Sequence, residues 1–117
     1  MRLWHYKLIP VLPNKMLVSQ WRECIAIKRQ WEKGTLKHRL VSYVLDYDKE
    51  IFVGYVLTLI SEFKNRKIKY KSELLMELVD FASNDSFAIK TYPEHNNKYL
   101  KQCYYNLQEK ADRRNYK

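Results

Sequence analysis

Only two glycines and three prolines interrupt the 117 residues. So few breakers exclude a sandwich built on many tight turns and favour helices. No glycine-rich loop that could cradle phosphates is present, and there is no repeat or low-complexity tail. No stretch approaches the ~18 apolar residues of a membrane span, so no membrane partner is expected. Cys24 and Cys103 are the only cysteines. Two thiols make no zinc motif, and His5, His38 and His95 lack ligand spacing, so no metal site is expected. Without a secretion signal the thiols are expected to stay reduced in a cytoplasmic protein.

Acids are the scarcer charge, 13 against 22 Lys and Arg, for a net charge of +9. The excess is polarised: residues 1–40 carry +7, residues 41–93 carry −1 and residues 94–117 carry +3. Two basic ends around a neutral middle suit a polyanion such as DNA, bound through phosphates with release of counterions. A hydrophobic content of 46% can fill a core. The chain is expected to form one domain over residues 1–117.

The first two dozen residues, MRLWHYKLIPVLPNKMLVSQWREC, carry the most information. Excision of an initiator Met generally needs a small second residue, and Arg2 is bulky, so Met1 is expected to remain with a free α-amine. Such an amine titrates near pH ~8, about two units below a Lys amine. A useful fraction is therefore unprotonated at neutral pH and can attack a sugar or carbonyl carbon to form a Schiff base. Leu8 to Leu12 is too short for a signal-peptide core and contains Pro10, so the amino terminus is expected to be the mature one. Pro10 and Pro13 keep Ile9 to Leu12 extended or turned. Asn14 is the expected N-cap of the helix that follows.

Lys15 to Lys33 reads as the clearest helix, closed by Gly34. Leu17, Trp21, Cys24 and Trp31, with Ile25 and Ile27, form its core stripe. Lys15, Ser19, Arg22, Arg29 and Lys33 fall on another face as a basic stripe, with Glu23 at its edge. Glu23 is the only acid before Glu32. Two readings stay open for it: a surface ion pair with Lys15, Arg22 or Arg29, or a carboxylate that faces the amino terminus and manages protons during attack by the amine.

After a short connection, His38 to Leu45 suggests a short helix with Leu40, Val41, Val44 and Leu45 on its apolar side. His38 could serve a phosphate or a substrate pocket, or simply lie in the core or on the surface. Lys49 to Arg66, capped by Asp46 or Asp48, is expected to be the buried central helix. Gly54 within it costs about 1 kcal/mol relative to Ala, which close helix packing would explain. Another helix starts at Ser72 and packs through Leu74, Leu75, Leu78, Val79 and Phe81. A loop is expected from Ser83 to Pro93. A last helix runs from about Glu94 to Arg113, with Tyr99, Leu100, Cys103 and Leu107 as its core stripe. Lys98, Lys101, Lys110, Arg113 and Arg114 make its basic side. Tyr104 and Tyr105 lie on adjacent faces and cannot both be core. The expected fold is all-α: three main helices plus shorter ones, with an extended amino-terminal segment across the bundle.

The opening segment, followed by KGTLKHRLVSYVLDY, resembles the pyrimidine-dimer DNA glycosylase/AP lyase family, the phage endonuclease V type, and within it the bacterial branch. An N-terminal residue followed by Arg, with an Arg-Glu pair about twenty residues later on the first helix, carries the likeness. It spans most of the chain and weakens after about Ile68. The resemblance implies that the α-amine of Met1 is the nucleophile, that Glu23 is the catalytic carboxylate and that Arg22 holds phosphates. It also implies that no cofactor is needed, since an amine and a carboxylate suffice. Arg2, Lys15, Arg29, Lys33 and His38 complete the expected DNA-binding set. Four departures stand out. Met1 replaces the small residue that the phage prototype exposes. One extra residue separates Arg2 from Glu23. Ala26 and Ile27 stand where a second Arg is expected. The chain ends at Arg113, Arg114, Asn115, Tyr116, Lys117 where the prototype carries an aromatic-rich tail. These departures bear on dimer specificity more than on amine chemistry.

The expected function is therefore a DNA-repair glycosylase with AP lyase activity, working as a monomer on double-stranded DNA that carries damaged pyrimidines or abasic sites. Three alternatives stay open: an AP lyase without dimer specificity, a non-catalytic basic DNA-binding module, and an interaction protein for acidic partners.

Overall fold

A computed structural model describes residues 1–82 and 91–114, the side chains of 111–114 excepted. Four α-helices carry the fold: α1 Asn14–Lys33, α2 Lys49–Asn65, α3 Ser72–Ala82 and α4 Asn97–Arg114. Two 3-10 helices, Tyr6–Val11 and Ser42–Asp46, join them, and no strand occurs among the described residues. The architecture is all-α, with α1, α2 and α4 as the three long helices. No described helix is long and apolar enough to cross a membrane.

Helix α1 buries the expected stripe. Leu17, Trp21, Cys24, Ile25 and Ile27 are in the core, and Trp31 packs edge-on against Phe52 of α2 and Phe81 of α3. Gly34 stops the helix in the left-handed conformation, φ 69°, and its N–H reaches back to Gln30 and Trp31 carbonyls. Helix α2 packs on α1, on α3 and on the first 3-10 helix, and buries Phe52, Val53, Tyr55, Val56, Leu59, Ile60 and Phe63. Burying each large side chain contributes roughly 1.5–3 kcal/mol, so this centre dominates the stability.

Several boundaries differ from the sequence reading for identifiable reasons. The stretch expected to be extended or turned around Pro10 winds into the 3-10 helix Tyr6–Val11. His5 Nδ1 opens it by accepting the Lys7 N–H at 3.1 Å. Arg66, just past α2, holds its far end: the guanidinium donates to the carbonyls of Ile9, Pro10 and Leu12 at 3.3, 2.9 and 2.6 Å. Asn14 does not cap α1. Pro13 occupies the cap position, and the Asn14 amide oxygen accepts from Arg66 instead. Asp48 stands at the N-cap of α2, but its side chain makes no capping bond. Helix α4 begins later than Glu94, because the Asn96 side chain caps it by accepting the Tyr99 N–H at 2.9 Å.

The segment after His38 forms a turn and a 3-10 helix rather than an α-helix. Only Val41 and Val44 of its four expected apolar residues are buried; Leu40 and Leu45 are exposed, because a tighter helix does not stack them on one side. Neither Tyr104 nor Tyr105 is core: both are exposed. The loop expected from Ser83 lies outside the described residues as far as 90, as do the side chains of Arg113 and Arg114 and all of 115–117.

The amino-terminal segment is buried against the helices. Leu3, Trp4 and His5 are all buried. Beneath it His5 stacks on His95, ring centres 5.4 Å apart, and His95 Nε2 lies 2.7 Å from the Tyr43 hydroxyl. Burial, and then the charge of His5, push His95 down from the ordinary 6.5 to about 4, and burial also lowers His5. The unfolded chain therefore binds both protons more readily than the folded one. The contribution of His95 to stability is complete above pH 6.5 and is lost as pH falls towards 4.

Two measurements check this description. A Cβ built at Gly54 meets nothing within 4 Å, so close packing does not account for this glycine. Gly54→Ala is expected to stabilise by about 1 kcal/mol, raising Tm by about 4 °C in a thermal melt. Between pH 7 and pH 5, His95 alone should cost about 2 kcal/mol of unfolding free energy. Urea titrations should show His95→Gln with a shallower loss over that range than the parent chain. Equal slopes would place the acid sensitivity elsewhere.

Candidate active site

Residues 2–4 have no sheet to complete their backbone hydrogen bonds, yet they are largely buried, so side chains must do it. Gln20 on α1 is fully buried beside them. Its Oε1 accepts the Trp4 N–H at 2.7 Å, and its Nε2 donates to the Arg2 carbonyl at 2.8 Å. The Tyr55 hydroxyl of α2 donates to the Trp4 carbonyl at 2.6 Å and lies 3.1 Å from Gln20 Oε1. The Tyr99 hydroxyl of α4 donates to the Leu3 carbonyl. Three helices therefore hold three consecutive residues.

This anchoring delivers the amino terminus to Glu23. The Met1 α-amine lies 3.8 Å from Glu23 Oε1, with the two side chains 18% and 32% exposed. That is an ion-pair distance and longer than a hydrogen bond, so neither group seals the other. Glu23 Oε2 accepts from Gln20 Nε2 at 3.0 Å. Glu23 thus pairs with the amino terminus, and not with Lys15, Arg22 or Arg29.

The surroundings of Glu23 are cationic. Burial raises its carboxyl above the usual range, against the charges of the amino terminus, Lys110, Arg2 and His38, which lower it. Arg2 and Lys110 both approach the Trp4 ring, at 5.2 and 5.4 Å from its centre. His38 is exposed, and its Nδ1 accepts the Leu40 N–H at 3.3 Å. A half-buried carboxylate beside an amine, ringed by Arg2, Lys110 and His38, can move protons and hold an anionic substrate.

The structure divides the basic stripe of α1. Lys15 and Arg22 line an open groove of about 470 Å³ with Asn14, Val18, Ser19 and Ile68. Arg22 is one residue from Glu23, about 100° round the helix, so groove and amine occupy neighbouring sides of α1. Lys33 is exposed at the helix end. Arg29 stands apart, because its Nε and Nη2 grip the two oxygens of Glu77 at 3.1 and 3.2 Å. Hydrogen bonds from Arg29 and then Lys28 hold the Glu77 carboxyl at about 2. The charge of Arg29 is thus already answered within the fold.

Sequence reasoning missed Gln20, Tyr55 and Tyr99 as parts of this site and treated Lys110 only as one of several surface cations. Gln20 carried a faint signal: it is a polar residue directly beside the core stripe of α1. Nothing local marked the two tyrosines, which belong to core stripes of their own helices. Among the described residues no group of three or more His, Cys, Asp or Glu could hold a metal ion.

The profile of a family described as pyrimidine dimer DNA glycosylase matches residues 1–76. The match includes the amino terminus, all of α1 and all of α2. Helix α4, which supplies Tyr99 and Lys110, lies beyond it. Searches of curated proteins and of solved structures return no match.

The raised carboxyl of Glu23 has a sign that a melt can read. A carboxyl held above its unfolded value contributes stability below that value and loses it as pH rises. Glu23→Gln removes the loss and keeps an acceptor for Gln20. Its Tm is expected to match or exceed the parent at pH 7, and the difference should shrink towards pH 4. A lower Tm at pH 7 would mean that the ion pair with the terminus outweighs the cost of burial.

Proposed function

Because the chain belongs to the pyrimidine dimer DNA glycosylase family, we propose that it removes damaged pyrimidines through its own amino terminus and cuts the strand at the resulting site. The observation that carries this reading is the 3.8 Å contact between the Met1 amine and Glu23 in a cationic, half-buried setting.

In the proposed course, the unprotonated Met1 amine attacks C1′ of the target nucleotide. The N–C1′ bond forms as the glycosidic bond breaks, and the base leaves with the bonding electron pair. Glu23 accepts a proton from the attacking nitrogen and returns it as the sugar ring opens to the imine. Loss of a C2′ proton then expels the 3′ phosphate by β-elimination, and water hydrolyses the imine to free the amine. An abasic site enters the same path at its C1′ aldehyde, with water as the leaving group. C1′ is reached only if the nucleotide leaves the stack, so the DNA must open at the lesion.

Arg2, beside the amine, and Lys15, Arg22 and Lys33 along α1 suit phosphate contacts. The eighteen residue steps from Lys15 to Lys33 extend about 27 Å along the helix, enough to follow several phosphates. Arg29 has the weakest claim among these cations, given its grip on Glu77. The charges of His38 and Lys110 also act on Glu23.

Borohydride trapping tests the reading. The untagged protein is mixed with duplex DNA carrying a cyclobutane pyrimidine dimer or an abasic site, beside a chain with an acetylated or extended terminus. A covalent adduct on both substrates that vanishes when the terminus is blocked is the expected result. Glu23→Gln should slow its formation about 10²- to 10⁴-fold. An adduct on the abasic site alone would reduce the activity to a lyase without dimer specificity. Tight, salt-sensitive binding with no adduct on either substrate would leave a DNA-binding module.

A further inference from the structure

We infer that Gln20 is the positioning residue of this site, the group that sets the distance between the Met1 amine and Glu23. The inference rests on the proposed amine chemistry and adds a residue to it. A side-chain amide offers two N–H donors and two acceptor lone pairs. In Gln20 both donors and one acceptor position are firmly engaged: Arg2 O and Glu23 Oε2 on the nitrogen, and the Trp4 N–H on the oxygen, with the Tyr55 hydroxyl, whose proton goes to the Trp4 carbonyl, 3.1 Å from that oxygen. The orientation of the amide is set by the backbone. Only Oε1 can accept from Trp4 N–H, and only Nε2 can donate to the Arg2 carbonyl, so a flipped amide would break both bonds.

One nitrogen therefore touches the two halves of the site. It holds the carbonyl of Arg2, the residue next to the nucleophile, and it holds the carboxylate that would take the nucleophile's proton. Tyr55 and Tyr99 anchor the same backbone, but their hydroxyls bond to Trp4 and Leu3 and not to Glu23. Donation to Glu23 also favours its ionised form, opposing the effect of burial. Gln20 thus acts on both the place and the charge of the carboxylate without touching the substrate.

Two variants separate this role from plain structural support. Gln20→Met keeps the approximate shape and loses every polar contact. Gln20→Glu keeps the oxygen that faces Trp4 and loses the donor to Glu23. Tyr99→Phe is the control: it frees the Leu3 carbonyl and leaves the Gln20–Glu23 bond intact. The first readout is the NMR titration of the Glu23 carboxyl carbon in the free protein. Its midpoint should rise in both Gln20 variants and stay in place in Tyr99→Phe. The second readout is single-turnover cleavage of duplex DNA with an abasic site. For the Gln20 variants the rate should fall about 10- to 100-fold, since small misplacements of reacting groups cost that much. DNA affinity should fall far less than the rate, because Lys15, Arg22 and Lys33 keep their places and only Arg2 among the proposed phosphate contacts is held by Gln20, and the pH–rate profile should move to higher pH.

An unchanged Glu23 midpoint in Gln20→Glu overturns the inference, and so does a midpoint that rises equally in Tyr99→Phe. If Gln20→Met fails to fold, Gln20→Glu decides alone. A parent chain that neither cleaves nor cross-links DNA overturns the proposed function instead. The titration, which needs no DNA, keeps the two failures apart.

Discussion

The amide of Gln20 is the interaction on which the arrangement of this molecule turns. A short extended segment at a chain end normally frays, since nothing completes its backbone hydrogen bonds. Here the segment is buried, and burial without partners would be costly for each peptide group. Gln20, Tyr55 and Tyr99 meet that need with one side chain from each long helix. Arg66 does the same a few residues further on, for the carbonyls of Ile9, Pro10 and Leu12. The bundle is thus a clamp for the amino terminus, and the helices cross where their polar side chains can reach it.

The charges follow from the same design. Glu23 is the carboxylate brought to the amine, and it is kept in a partly desolvated place among cations. Desolvation and cationic neighbours pull its proton affinity in opposite directions, and desolvation wins. That outcome suits the proton transfer proposed for Glu23. On the far half of α1, Glu77 reaches across from α3 to hold Lys28 and Arg29. A basic stripe that looks uniform along α1 therefore has two uses. One end is available to an anionic partner, and part of the other ties α1 to α3.

The family match ends within α3, yet α4 completes the site. Tyr99 and Lys110 come from it, and His95 just before it packs against His5 under the terminal segment. Residues 1–76 supply the amine, the carboxylate and Gln20, while α4 supplies an anchor for the Leu3 carbonyl and a charge near Glu23.

Much of this was legible from the order of residues, because helix periodicity and capping are local. The apolar spacing of Leu17, Trp21 and Cys24 marked the buried side of α1, and Gly34 marked its end for a reason internal to four or five residues. The pairing of an amino terminus beside Arg2 with Glu23 was also readable, through likeness to a family rather than through spacing. Other features could not be read, since each depends on how distant elements cross. Arg29 looks like a free cation until α3 brings Glu77 from 48 residues away. Tyr99 looks like core until its hydroxyl meets Leu3 across 96 residues. Asn14 looks like a cap until Arg66 takes its oxygen. Sequence by itself determined the helices, the polarity of charge and the family. Tertiary structure decided which polar groups meet, because a side chain's periodicity tells which way it faces but not what it will find there.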